Sequence, residues 1–126
     1  MTIVMITDFS NGDDLEIERT VAIPSGTTIT SAWFMVKRSV LDLDSEALID
    51  KSITSITVSG VGVIYDTGVS DARALLLFWL TTTDTNILTP FSEYQYSIKV
   101  QLSTNKVYTP ERGVIIANPA VKKLSV

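Results

Sequence analysis

The chain has 126 residues, 45% hydrophobic and 19% charged, with a net charge of −4. That is the size of one domain, with enough apolar residues for a core that needs no metal or disulfide. With neither cysteine nor histidine, it excludes thiolate catalysis, cysteine redox chemistry and cysteine-based zinc sites, and it lacks the commonest general base and transition-metal ligand. Basic residues are adjacent only at Lys37-Arg38 and Lys122-Lys123, too scattered to hold phosphates, so nucleic acid is not an expected partner. The longest apolar run, Ala74 to Leu80, falls far short of the roughly 20 residues of a membrane span. The opening MTIVMITDF has no basic region before its apolar residues and makes a poor signal peptide. A soluble protein, assembled in a reducing cytoplasm and not exported by the general secretory route, is expected.

In chain order, Asp14 to Ile23 alternates Leu15, Ile17, Arg19, Val21 and Ile23 with Asp14, Glu16, Glu18, Thr20 and Ala22. One face is apolar and the other wet, the pattern of a half-buried antiparallel strand. Pro24-Ser25-Gly26 ends it with turn chemistry. Ser31 to Lys37 is a second strand, with Ala32, Phe34 and Val36 set against Trp33, Met35 and Lys37. Asp42 to Asp50 reads as polar and then weakly helical or looped. Ile53 to Ser59 alternates again, Gly60 and Gly62 mark a bend before Val63 to Asp66, and Thr67-Gly68-Val69-Ser70 is a turn. Arg73 to Leu80 and Tyr94 to Leu102 are the best-marked strands. Ser103 to Lys106 reads as a hairpin loop, and the last strand, Val107 to Ala117, is interrupted at Pro110, as at an edge or a bulge. No segment keeps a helical period, so the fold class expected is all-β, a sandwich or barrel.

The segment TTTDTNILTPFSEY, residues 81 to 94, links the two best strands. A crossing between two sheets needs a plug for the end of the core (Leu88), a stiff bend (Pro90) and a side chain that ties the corner down (Tyr94, its hydroxyl bonded back to the backbone). Asp84 is placed to cap a helical turn within it. The spacing resembles the Leu-x-Pro-x-x-x-Tyr tyrosine corner of fibronectin type III and other immunoglobulin-like domains. That resemblance implies an Ig-like antiparallel β-sandwich of about seven to nine strands. Asp14 to Ile23 takes the place of strand B, Ser31 to Lys37 of C, Arg73 to Leu80 of E and Tyr94 to Leu102 of F. The expected division is an N-terminal arm at 1–12, the sandwich at 13–117 and a C-terminal tail at 118–126.

Two strands are apolar on both sides. Arg73 to Leu80 carries Ala74, Leu76, Phe78 and Leu80 on one face and Arg73, Leu75, Leu77 and Trp79 on the other, where only Arg73 is wet, and Trp33 and Met35 oppose Ala32, Phe34 and Val36. Exposing each such side chain forgoes about 1.5–3 kcal/mol and makes an aggregation-prone patch. The cover is either the chain's own ends, MTIVMI or VIIANPAVKKL, or another polypeptide, which includes a second copy of the chain.

The order Ala32-x-Phe34-x-Val36-Lys37, Asp44-x-Glu46-Ala47-Leu48-Ile49, a Gly-rich turn with Asp66, Leu80-x-x-x-Asp84-Thr85-x-x-Leu88-x-Pro90, Tyr94-x-Tyr96-x-Ile98-x-Val100-x-Leu102 and Tyr108-Thr109-Pro110-x-x-Gly113 resembles small Ig-like domains of tailed-bacteriophage virions. It is similar to the N-terminal domain of baseplate upper proteins and to short virion proteins. The resemblance implies a non-enzymatic structural role in the virion, with other virion proteins (capsid, tail or baseplate) as partners, no catalytic residues and no cofactor. With no coiled coil or receptor-binding module following the domain, a stand-alone decoration or cement subunit is favoured. Trp33, Met35, Leu75, Leu77 and Trp79 are the expected interface, by burial of apolar area and possible strand addition along an edge.

Other constellations carry less. Asp42-x-Asp44-x-Glu46 spaces carboxylates like the start of a calcium loop, but Ala47 stands where an EF-hand needs glycine and Ile53 where it needs a bidentate Glu. The metal expectation is none. Ser25 beside Gly26 is a turn residue. Trp33, Tyr65, Trp79 and Tyr108 are available as a sugar platform, which makes a carbohydrate-binding or host-adhesion module the alternative function.

Overall fold

The computed structural model describes residues 4–39, 41–54, 57–58, 61–66 and 73–120. The turn expected at 67–70, the bend at Gly60 and the end of the tail lie outside these residues. Strands are β1 (Val4–Ile6), β2 (Leu15–Ala22), β3 (Ile29–Lys37), β4 (Ile49–Ile53), β5 (Thr57–Val58), β6 (Gly62–Asp66), β7 (Arg73–Leu80), β8 (Tyr94–Leu102) and β9 (Val107–Ile115). They form a five-stranded sheet, β1-β9-β8-β3-β4, and a four-stranded sheet, β2-β7-β6-β5. The two sheets make an Ig-like β-sandwich. As strands B, E, C and F require, β2 pairs antiparallel with β7 in one sheet and β3 with β8 in the other.

Period two decides which residues meet between the sheets. Ala32, Phe34 and Val36 of β3, with Tyr96, Ile98 and Val100 of β8 beside them in the same sheet, face Ala74, Leu76, Phe78 and Leu80 of β7, all buried. The Phe34 ring lies with its centroid 5.7 Å from those of both Phe78 and Tyr96. Each large side chain removed from water here stabilises the fold by about 1.5–3 kcal/mol.

Three expectations change. Ile53 to Ser59 was expected as one strand. Instead β4 begins at Ile49 and pairs with β3, whereas Thr57–Val58 pairs with β6 in the opposite sheet. The chain changes sheets here, and a period of two carries no mark of such a change. Glu46 and its neighbours form a single 3₁₀ turn, Asp44–Glu46, before β4. Second, the sandwich extends beyond 13–117: Val4–Ile6, expected within an arm, pairs parallel with Gly113–Ile115, and Ser10 bridges to Asn118. Gly113 permits that pairing, since a Cβ there would stand 2.1 Å from the Val4 carbonyl oxygen. Third, β9 runs unbroken through Pro110. The register shifts between Ile98↔Glu111 and Val100↔Tyr108, so Thr109 and Pro110 share the place opposite Lys99 as a bulge.

The crossing from β7 to β8 is a tyrosine corner. Its helical turn, α1 (Thr82–Asn86), is capped by Thr81 and not by Asp84. Asp84 is the reciprocal partner of a capping box, accepting from the Thr81 N–H at 2.8 Å. Lys51, on the inward side of β4 opposite Phe34, reaches Asp84 at 2.6 Å. Burial works to raise the Asp84 pKa, but the hydrogen bonds from Lys51 and Thr81 outweigh it and hold the group below its ordinary value. Leu88 is fully buried, and the Tyr94 hydroxyl oxygen accepts the Thr89 N–H at 2.9 Å. Pro90 leads into Phe91, which takes the left-handed conformation at φ 66°; its N–H bonds to the Ala117 carbonyl at 2.9 Å.

One polar clasp joins the sheets. Arg19 sits at an inward position of β2, and its Nε bonds to both Glu111 carboxylate oxygens, at 2.9 and 3.0 Å. Glu111, on β9, also accepts from the Tyr96 hydroxyl at 2.6 Å. Burial and donation to Glu111 push the Tyr96 hydroxyl above its ordinary value near 10.0, despite the opposing pull of Arg19. Burial lowers the Arg19 pKa, but Glu111 more than restores it.

Two measurements test these contacts. Tyr94→Phe removes the acceptor of the Thr89 N–H, a part-buried hydrogen bond, and is expected to cost about 0.5–1.5 kcal/mol in urea unfolding with the fold retained. Because the folded Tyr96 pKa is raised, its contribution to stability is complete below the unfolded value near 10.0 and is lost as pH climbs from there toward the folded value. Denaturation followed through alkaline pH should show that loss, with a shallower slope in Tyr96→Phe.

Candidate binding faces

The residues expected at an interface fall on two opposite outer surfaces. Trp33 and Met35 lie on the outer face of the five-stranded sheet, here called the front. Leu75, Leu77 and Trp79 lie on the outer face of the four-stranded sheet, the back. All five are half-buried. They point away from the filled core because Phe34 and Val36, or Leu76 and Phe78, already occupy the inward positions of the same strands.

On the front, register sets Trp33 between Ser52 and Lys99, and Met35 between Asp50 and Ser97. A groove of about 430 Å³ is lined by Trp33, Met35, Lys37, Asp44, Ser97, Lys99 and Val107. Its wall is the β3–β4 loop, held by Lys37, whose Nζ bonds to Asp44 at 2.7 Å and donates to the Asp42 carbonyl at 3.1 Å. Lys37 and, more weakly, Lys99 hold the Asp44 carboxyl below its ordinary value. The same loop exposes Leu41 at 89% and Leu43 at 68%, and Val107 in the groove lining is 51% exposed, so apolar surface continues past the floor.

The carboxylates of this loop turn back on it. Asp42 accepts the Ser39 N–H at 3.2 Å and Glu46 the Leu43 N–H at 2.8 Å. Among the described residues no three potential ligands converge on a metal position.

On the back, Trp79 stands opposite Glu16 and Leu77 opposite Glu18. The Trp79 indole N–H donates to Glu16 at 3.2 Å. Beside Leu77 on β6 is Val63, only 6% exposed. The described part of the N-terminus does not lie over either face; Val4–Ile6 extends the five-stranded sheet at its margin. The aromatics offered as a sugar platform do not form one surface, because Trp33 and Trp79 face opposite ways. Tyr108 is 44% exposed at the start of β9, and the Tyr65 side chain lies outside the described residues.

Sequence reading supplied the apolar floor of each face and missed the walls. Lys37, Asp44, Lys99 and Val107 come together only through pairing of β3, β8 and β9. The alternation of Tyr94 to Leu102 places Lys99 outward, but nothing local places it beside Trp33.

Fold and corner define an Ig-like β-sandwich with apolar outer faces. No protein-family model matches the chain, and no curated protein does. Among solved structures it is similar to ACE19, the collagen binding subdomain of the Enterococcus faecalis surface protein ACE, at 18% identity over 87% of this chain and 80% of that one, with a TM-score of 0.22. A likeness at that score says nothing of what this chain binds.

The groove wall has its own test. The Asp44 carboxyl should titrate below its ordinary 3.8, and Lys37→Met should return it toward that value in a carboxyl-resolved NMR titration.

Proposed function

We propose that this chain is a non-enzymatic structural subunit of a tailed-phage virion, a capsid cement or decoration subunit or a tail or baseplate accessory, that holds neighbouring subunits through its outer faces. The observation that carries the binding role is the pair of half-exposed apolar patches, Trp33 with Met35 and Leu75 with Leu77 and Trp79, on a sandwich whose interior is already filled. Covering them with protein recovers burial that the fold alone leaves unused. The virion setting is supported by the ordered likeness to phage Ig-like domains across residues 13 to 117. Among the described residues, the groups whose pKa is shifted, Arg19, Asp44, Asp84 and Tyr96, are each bound to a structural partner.

In particles purified from a culture infected by the phage that encodes the chain, it should be a stoichiometric component that survives a high-salt wash, visible by mass spectrometry and locatable by cryo-electron microscopy. Trp33→Asp or Leu77→Asp should reduce incorporation about tenfold, as expected for loss of a buried apolar anchor, while circular dichroism shows the fold retained. Absence from washed particles overturns the proposal. Trp33, flanked by Lys37 and Lys99 in an open groove, also suits the carbohydrate-binding or host-adhesion alternative. Strong binding on a glycan array that is abolished by Trp33→Ala would put that function in its place.

A further inference from the structure

The two outer faces differ in charge as well as position. The front carries Lys99 on β8 and Arg112 on β9, where Arg112 stands opposite Ser97 of the groove. The back carries Glu16 and Glu18 along β2. Among the described residues the ion pairs are Arg19–Glu111, Lys37–Asp44 and Lys51–Asp84, so Lys99, Arg112, Glu16 and Glu18 form no ion pair there. All four are exposed.

The clasp between the sheets fixes where these charges lie. Arg19 and Glu111 meet across the core at 2.9 Å, which brings their positions on β2 and β9 to one level. Side chains alternate along a strand, so the neighbours Glu18 and Arg112 leave that level in opposite outward directions. Glu18 is on the back beside Leu77, and Arg112 is on the front beside the groove. The front also carries Lys37 with Asp44 and Asp50, and the back carries Arg73, so both faces are of mixed charge, and among the described residues the excess is one positive charge on the front and one negative on the back.

We propose that the back face of one copy of this chain seats on the front face of the next. Leu75, Leu77 and Trp79 cover the Trp33–Met35 groove, and Glu18 meets Arg112 of the adjoining copy. This rests on reading the outer faces as docking surfaces and names the partner as the chain itself. The contact is heterologous, joining two different surfaces, so it repeats into a ring or an open stack and does not stop at a two-fold dimer.

Sedimentation velocity on the purified full chain tests this. The expected result is a mean mass that grows with concentration and falls as salt screens the exposed charges. Arg112→Glu and Glu18→Arg, each alone, should weaken association about tenfold or more, as like charges then face each other. The double variant should recover it, and an equimolar mixture of the two single variants should co-assemble. A monomer at every concentration, or a discrete dimer indifferent to both substitutions, overturns the proposal. Particle incorporation is read separately. A strict monomer still found in washed particles defeats the stack and spares the virion role. A chain that stacks but is absent from particles does the reverse.

Discussion

A two-layer sandwich can bury only one side of each strand between its sheets, and in this chain the inward side of β3, β7 and β8 is already lined with buried apolar residues. Phe34, Phe78 and Tyr96 fill the centre in ring contact, and the aliphatic side chains of β3, β7 and β8 close around them. Protein interiors are close-packed and accept additional side chains only with strain. The second apolar faces of β3 and β7 therefore have no place inside the molecule. Their half-exposure follows from the core being complete, and the functional reading starts there.

The polar contacts within the fold work on orientation more than on net stability. An ion pair set partly out of water returns little after desolvation, so Arg19–Glu111 and Lys51–Asp84 are weak additions to the free energy. Each, however, joins parts that the apolar core alone would let slide. Arg19 and Glu111, 92 residues apart, set the level of one sheet against the other. Lys51 holds the corner's helical turn to the margin of the opposite sheet. The Tyr94–Thr89 bond then fixes the backbone entry into β8, whose outward residues make part of the front groove.

Much of this was legible in the sequence where the physics is local. The alternation of β2, β3, β7 and β8 reports burial one residue at a time, and the Leu88, Pro90, Tyr94 spacing reports a corner that closes within a few residues. The outward apolar residues were legible for the same reason, as a second hydrophobic register on strands that already had one. What escaped depends on partners far away in sequence. Three residues of β1 are too few to alternate, and their place depends on Gly113. The split between β4 and β5 falls within one run of alternating residues. Lys99 and Asp44 join Trp33 only once three strands and a loop have assembled. The inward Arg19 broke the apolar pattern of its strand, and its partner Glu111 could not be named without the fold.

The margins of the two sheets share a property that bears on how such a molecule grows. In the five-stranded sheet, β9 beyond its pairing with β1 carries Pro110 and a bulge, and β4 turns the ammonium of Lys51 inward. In the four-stranded sheet, β2 turns the guanidinium of Arg19 inward. Proline, bulges and inward charges are devices that keep a foreign strand from docking laterally. A chain so guarded along its sides resists runaway cross-β polymerisation. What contact remains open lies perpendicular to its strands.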